Sequence, residues 1–276
     1  MGESRVARRD VPRRLRIAPG QRAHLPEGAA HERLGWDEEE AVRALTVNRQ
    51  RLEQLQYKMY ADGRFGLIIV LQAIDAGGKD GTIRHVVSAF NPQGCTVTSF
   101  KVPSQDEARH DYLWRIHQRV PPRGQIAVFN RSHYEDVIAV RVNRLVPESV
   151  WRRRYEEINR FERMLVHERF TVVKLFLHIS KTEQKRRFEA RIREPHKQWK
   201  FEPADLAARG KWSRYRTAFE DALSRCTTPE APWYVIPADH KWFRNFAVSQ
   251  ILLQVLESLP LAFPKPSYDP AKLRLR

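Results

Sequence analysis

Lys79 sits in a glycine-rich turn, Asp75-Ala76-Gly77-Gly78-Lys79-Asp80-Gly81-Thr82, that closes the apolar run beginning at Gly66. One lysine among closely spaced glycines is a combination suited to phosphate. Glycine lets backbone approach an anion, the N–H groups point at it, and lysine adds a mobile positive charge. Ile83, Val86, Val87 and Phe90 follow at i, i+3, i+4 and i+7, the stripe of a helix whose N-terminus favours the same anion. The phosphate-binding stretch is therefore read as Gly77, Gly78, Lys79, Asp80, Gly81, Thr82 and Arg84. Asp75, at its mouth, would repel phosphate unless a cation or a proton intervenes. Mg²⁺ ligation resolves this, because Mg²⁺ takes one or two carboxylates plus phosphate oxygens. General-base work on an acceptor phosphate is a second option, and capping the turn is a third.

The turn departs from the G-x-x-x-x-G-K-[ST] pattern of phosphate loops. Ala73 holds the first glycine position and Asp80 the Ser/Thr position. A second polar cluster, Asn130-Arg131-Ser132-His133-Tyr134-Glu135-Asp136, follows the apolar run Ile126–Phe129. It reads as a Walker B-like strand end with Asn130 where Asp is usual, so metal duty shifts to Asp75, with Glu135 or Asp136 as helpers. Arg131 offers planar bidentate donors to a transferred phosphoryl group. A third cluster, from Lys185 to Lys211, crowds Arg187, Arg191, Lys197 and Lys200 between a strand and a later helix. Arg187 and Arg191 are four apart and share a helix face. The cluster reads as a lid, spanning about 183–212, that closes over phosphates.

Positioning these groups takes a sheet. Apolar runs at Gly66–Gln72, Cys95–Phe100, Ile126–Phe129, Val172–Ile179 and Trp233–Ile236 alternate with helical patterns. The alternation predicts an α/β fold, a five-stranded parallel sheet covered on both faces. Asp75, Asn130-Arg131, Ser180 and Asp239-His240 then fall at strand C-termini, where open sheets bind ligands. Asp37 caps a helix with Val42, Leu45, Leu52, Leu55 and Met59 inward, and Gly63 ends it. Glu148 to Glu168 carries Trp151, Tyr155, Ile158, Phe161 and Leu165 inward. Helices are also expected around Glu107 to Gln118, from the second cluster to Leu145, after the capping box Ser180/Glu183, and over Ala204–Arg225 and Trp242–Leu259. Residues 1–35 form a basic, partly disordered arm, 36–262 the catalytic domain, and 263–276 a tail.

With 49 Lys+Arg against 33 Asp+Glu, the formal charge is +16 and the sequence pI is near 10.2. That balance favours polyanions: nucleic acid, anionic membrane or a phosphate polymer. No run approaches the about 18 apolar residues of a membrane span, and the N-terminus has no apolar signal region. Cys95 and Cys226 fit no metal spacing and read as reduced thiols of a cytoplasmic protein.

The segments QAIDAGGKDGTIRHV, NPQGCTVTSFKVPS, FNRSHYEDV, REPHKQWKFEPADL and APWYVIPADHKWFRN together resemble polyphosphate kinase family 2, over about residues 35–260. Asn130 and PADHKWFRN look like its class III subgroup, which phosphorylates both AMP and ADP. The resemblance implies a thymidylate-kinase-like three-layer α/β/α P-loop kinase fold with a helical lid. It implies Mg²⁺-dependent phosphoryl transfer between inorganic polyphosphate and nucleoside mono- and diphosphates. Carried over by motif, Asp75, Lys79 and Arg131 would be catalytic, and Arg187, Arg191 and Lys197 would contact phosphates. His133 stands where the subgroup often has an aromatic residue, and little effect on chemistry is expected. Mn²⁺ as a substitute metal, guanine alongside adenine nucleotides, and a homo-oligomer (dimer or tetramer) complete the expectation, with no membrane or specific nucleic acid. An ATP-dependent nucleotide kinase is the alternative, weighed down by Ala73, Asp80 and the excess charge. A basic nucleic-acid-binding protein finds no supporting motif.

Overall fold

Each of the five apolar runs becomes a strand. In the computed structural model, which describes residues 10–269 and 272–274, these are β1 (Gly66–Gln72), β2 (Cys95–Ser99), β3 (Ile126–Asn130), β4 (Phe170–His178) and β5 (Trp233–Pro237). All pair in parallel, in the order β2-β3-β1-β4-β5. Leu71 pairs with Asn130 and Gln72 with Phe176, which aligns the strands' carboxyl ends along one edge. β1 is buried at every position, as a central strand covered on both faces must be.

The helices are α1 (Val11–Leu15), α2 (Glu38–Asp62), α3 (Lys79–His85), α4 (Trp114–His117), α5 (Ala139–Val142), α6 (Glu148–His167), α7 (Lys181–Arg193), α8 (Pro203–Gly210), α9 (Trp212–Arg225) and α10 (Lys241–Ser258). Alternate residues of β1 serve two cores. Leu67, Ile69 and Leu71 pack with α2 and α10. Ile68 and Val70 pack with α6 and α9. The result is the expected three-layer α/β/α arrangement of a P-loop kinase-like fold. No helix among the described residues is long and apolar enough to cross a membrane.

Local signals place the long helices well. Asp37 Oδ1 accepts from Glu40 N at 2.8 Å, and Gly63 ends α2 at φ +69°. All five residues named for α6 are buried. Val42, expected inward on α2, is 45% exposed. The buried row runs instead through Ala41, Asn48, Leu52, Leu55 and Met59, which puts Val42 about 100° off it.

Shorter helices break where tertiary packing intervenes. The helix after the phosphate loop stops at His85, and Val87–Ala89 is a 3₁₀ turn. Ser88 Oγ donates back to Arg84 O at 2.6 Å there, a bond that competes with regular helix. Val86, Val87 and Phe90 are buried all the same. The segment around Glu107 to Gln118 resolves into a 3₁₀ turn and α4, and the one before Leu145 into the turn His133–Asp136 and α5. Ala204–Arg225 divides at Lys211 into α8 and α9.

The N-terminal arm is bound to the body from Asp10 onward. Val11, Leu15, Ile17 and Leu25 are buried, and Arg16 bridges Tyr234 antiparallel at the free edge of β5. Ile17 N donates to Trp233 O at 2.9 Å, and His178 Nε2 contacts Pro26 O at 2.8 Å. The disorder expected of the arm falls partly on residues 1–9, which lie outside the described residues.

Candidate active site

The loop after β1 is shaped by its glycines. A Cβ on Gly77 would lie 2.5 Å from Ala73 Cβ and 2.8 Å from Ile74 O, and Gly78 takes φ +107° at the start of α3. Ala76 adopts φ +62°, a region costly for a residue with a side chain. Two side chains of α7 hold this strained peptide: Gln184 Nε2 donates to Asp75 O at 2.9 Å, and Arg187 Nη1 to Ala76 O at 2.8 Å. Thr82 is buried and donates to Gly78 O at 3.2 Å, so it closes the turn from inside. Arg84, one turn along, is exposed.

Lys79 and Arg131 meet at the mouth of this loop. Lys79 Nζ donates to Ala73 O at 3.2 Å. Arg131, at φ +62°, donates from Nη2 to Asp75 Oδ1 at 2.8 Å. Asn130 Nδ2 donates to Asp80 Oδ1 at 3.0 Å. Ser132 is buried and caps the next turn by accepting from Tyr134 N at 3.2 Å. The Gln72 amide satisfies both neighbours when its nitrogen faces Glu135 Oε1 (3.0 Å) and its oxygen accepts from Ser132 Oγ (3.1 Å). Burial and the Arg131 charge hold the Lys79 amine below its ordinary value, against the pull of Asp75, Glu135 and Asp80. Burial pushes Glu135 up, against Arg131 and Lys79. Asp136 faces away from this group: Arg154 donates to its Oδ1 at 3.2 Å and to its carbonyl at 3.0 Å. Of the two helpers expected for Asp75, only Glu135 stands beside it.

A buried ionic network supports the second cluster. Lys174 of β4, Glu162 of α6 and Tyr134 are each at most 1% exposed, and Lys174 donates to Tyr134 Oη at 3.1 Å and to Glu162 Oε2 at 2.5 Å. His133 is buried too, its Nε2 3.2 Å from Glu162 Oε1. It packs into this buried network beside Tyr134, with ring centroids 4.7 Å apart.

The lid residues divide. Arg187 is 9% exposed and ties the loop to the end of β5 through Ala238 O (2.6 Å) and Asp239 O (3.1 Å), while Glu183 balances its charge. In this structure it forms a wall of the site. Arg191 donates to Lys200 O at 3.3 Å, Lys197 pairs with Glu194, and Lys200 stacks over Trp199, 4.9 Å from the ring centroid. These three lie outside the loop's own hydrogen bonds. The capping box at Ser180 is half-formed, because Ser180 N donates to Asp239 Oδ1 at 2.9 Å while Glu183 holds arginines.

No cluster of three or more metal-ligating side chains occurs among the described residues. Asp75 offers one carboxylate, half-engaged by Arg131, with Glu135 nearby. Such a donor set fits a cation that takes its remaining ligands from phosphate and water. Sequence reasoning missed three residues here. Gln184 bonds the loop from 109 positions away. Arg244 lies 2% exposed against Gly78 and Gly81. Tyr215 of α9 faces the Asp75–Glu135 group: burial raises its phenol, and both carboxylates add to the rise despite a hydrogen bond from Asn143. Only Arg244, inside the KWFRN segment, carried a signal.

The sequence profile of Polyphosphate kinase 2 (PPK2) matches residues 35–261. The chain belongs to the polyphosphate kinase 2 family. It is 52% identical over 233 residues to the AMP/ADP-polyphosphate phosphotransferase of Meiothermus ruber, covering 84% of this chain and 87% of that one. It is 46% identical to the ADP-polyphosphate phosphotransferase of Rhodopseudomonas palustris, over 80% of this chain and 81% of the relative. The crystal structure of polyphosphate kinase 2 from Arthrobacter aurescens TC1 superposes with a TM-score of 0.90 at 40% identity, covering 95% of this chain and 94% of that one. The polyphosphate kinase 2 segment begins at 35, so the anchored arm that closes the β5 edge lies outside it.

Proposed function

We propose that this chain transfers phosphoryl groups between inorganic polyphosphate and adenine nucleotides, converting AMP to ADP and ADP to ATP. The observation that carries the proposal is the convergence of Lys79, Arg131 and Asp75 on one phosphate loop. Phosphoryl transfer needs little covalent chemistry from a protein; it needs in-line placement and charge neutralisation. Loop N–H groups and Lys79 cradle the donor phosphate. Arg131 swings its planar donors from Asp75 to the transferred group, where charge spreads over three oxygens. A divalent cation, for which we propose Mg²⁺, supplies further neutralisation when bound, and Asp75 with Glu135 would hold it. Arg187 and Gln184 keep the strained loop peptide in place. A cytoplasmic homo-oligomer remains part of the proposal.

The test is incubation with ADP, polyphosphate and Mg²⁺. ATP should form, and AMP should be consumed when it replaces ADP. No product from either nucleotide overturns the reading.

A further inference from the structure

The N-terminal arm meets the site at one buried carboxylate. Asp239 stands just past the end of β5, its side chain 4% exposed. Its Oδ1 accepts at 2.9 Å from the N–H of Ser180, the residue that opens α7. Its main-chain carbonyl accepts from Arg187 Nη2 at 3.1 Å. Asp239 therefore sets both the start of α7 and the arginine that α7 sends to Ala76 O. Among the described residues of the body, no hydrogen bond reaches its buried Oδ2. The group that does lie against it belongs to the arm, ahead of the family segment: His31 Nδ1 is 2.9 Å away.

Backbone contacts deliver that imidazole. His31 ends the 3₁₀ turn Glu27–His31. The preceding residue, Ala30, accepts from Asp239 N at 3.2 Å, and Pro26 O at the turn's other end lies 2.8 Å from His178 Nε2 of β4. A buried carboxylate oxygen needs a donor or a counter-charge. Arg187 is a cation already bonded to the same residue. Without His31, the bare Oδ2 competes for that guanidinium, and the bond at risk is the one to Ala76 O, 2.8 Å long. Ala76 is held at φ +62°, a conformation that persists only where its surroundings enforce it.

We propose that His31 is a positioning residue for phosphoryl transfer: by holding Asp239 Oδ2 it keeps Arg187 on Ala76 O, and so keeps the phosphate-loop peptide in its strained conformation. It rests on the phosphoryl-transfer reading of the loop. His31 touches no reacting group itself; it acts through Asp239 and Arg187, from a part of the chain that the family segment does not include.

Steady-state kinetics of the full chain, with polyphosphate and ADP each varied, read the role. His31→Ala should lower kcat about tenfold with both KM values little changed, while His31→Asn, whose amide N–H replaces Nδ1–H, should stay within about twofold of the parent. In an Asp239→Asn background the buried charge is gone, so adding His31→Ala should change kcat by less than about twofold. A loss of kcat that His31→Asn does not rescue, that persists in Asp239→Asn, or that only follows a smaller folded fraction overturns the proposal. Full activity of His31→Ala overturns it as well, and so does a rise in donor KM alone, which would make the arm a polyphosphate-binding element. Hydrogen exchange reads the same change without turnover. Peptides covering residues 73–82 should exchange faster in His31→Ala and at the parental rate in His31→Asn. Unaltered exchange in His31→Ala overturns the positioning role, whereas absence of transfer by the unmodified chain overturns the polyphosphate reading, so the two failures are distinguishable.

Discussion

The two flanks of the phosphate loop use cations differently. On the β3 side, positive charge is matched by acid: Arg131 meets Asp75 at 2.8 Å, and Glu135 and Asp80 lie within reach of Lys79. On the β5 side Arg244 and Lys241 repel each other and Arg187, whose own carboxylate, Glu183, is shared with Arg186. The first arrangement suits chemistry, since charges held in place before substrate arrives need no reorganisation in the transition state. The second suits binding, since an incoming polyanion relieves repulsion that the free protein carries. One loop serves both because β1 lies at the centre of the sheet, with β3 and β4 on either side.

The sharpest way to break this division is Lys79→Ala. Transfer should fall by about 10³-fold with the melting temperature little changed; full activity in a coupled ATP assay would remove the loop from the mechanism. Next is the support beneath the β3 side. Lys174→Met removes the lysine from Glu162 and leaves that buried carboxylate only His133 and the Tyr134 hydroxyl, which should cost about 3–5 kcal/mol in denaturant unfolding. A cost under about 1 kcal/mol would show that the network is not ionic. Arg131→Lys keeps the charge but loses the planar fork, so kcat should fall about 10²-fold with donor KM little altered. A rise in KM alone would move Arg131 from the chemistry to the binding flank.

The smallest effect concerns Glu135. Its pKa is raised from 4.5 mainly by burial. A carboxyl raised by folding adds stability below its ordinary value and withdraws it as pH rises through the raised one. Glu135→Gln should therefore melt slightly higher than the parent at neutral pH, with the gain disappearing as pH falls below 4.5. A gain that persists in acid would mean that ionisation is not its cause.

The β3 flank was far more legible in the sequence than the β5 flank, and the reason is distance along the chain. Asp75 and Lys79 share one turn, and Arg131 directly follows an apolar strand, so type and spacing declared them. The five strands were legible for the same reason, being apolar runs bounded by polar turns. Gln184 and Arg187 act on the backbone of Asp75 and Ala76, 109 and 111 positions away. No local pattern encodes such contacts, and Arg187 read as a lid base because its own segment shows only a crowd of basic residues. Helix breaks at Val86 and Lys211 were hidden likewise, since tertiary packing overrode a continuous period. The anchoring of the arm rests on isolated Val11, Leu15 and Ile17 among arginines, too few for a period to show.

An ATP donor brings a purine and ribose, which need apolar and hydrogen-bonding surface; the β5 flank offers guanidinium and ammonium groups. The most direct measurement is therefore a donor comparison on the unmodified chain, with AMP as acceptor, Mg²⁺ present, and either polyphosphate or ATP as sole donor at equal phosphate concentration. The expected result is ADP formed at least about 10²-fold faster from polyphosphate, as a site built for one donor's charge rejects another. Equal or faster turnover with ATP would contradict it.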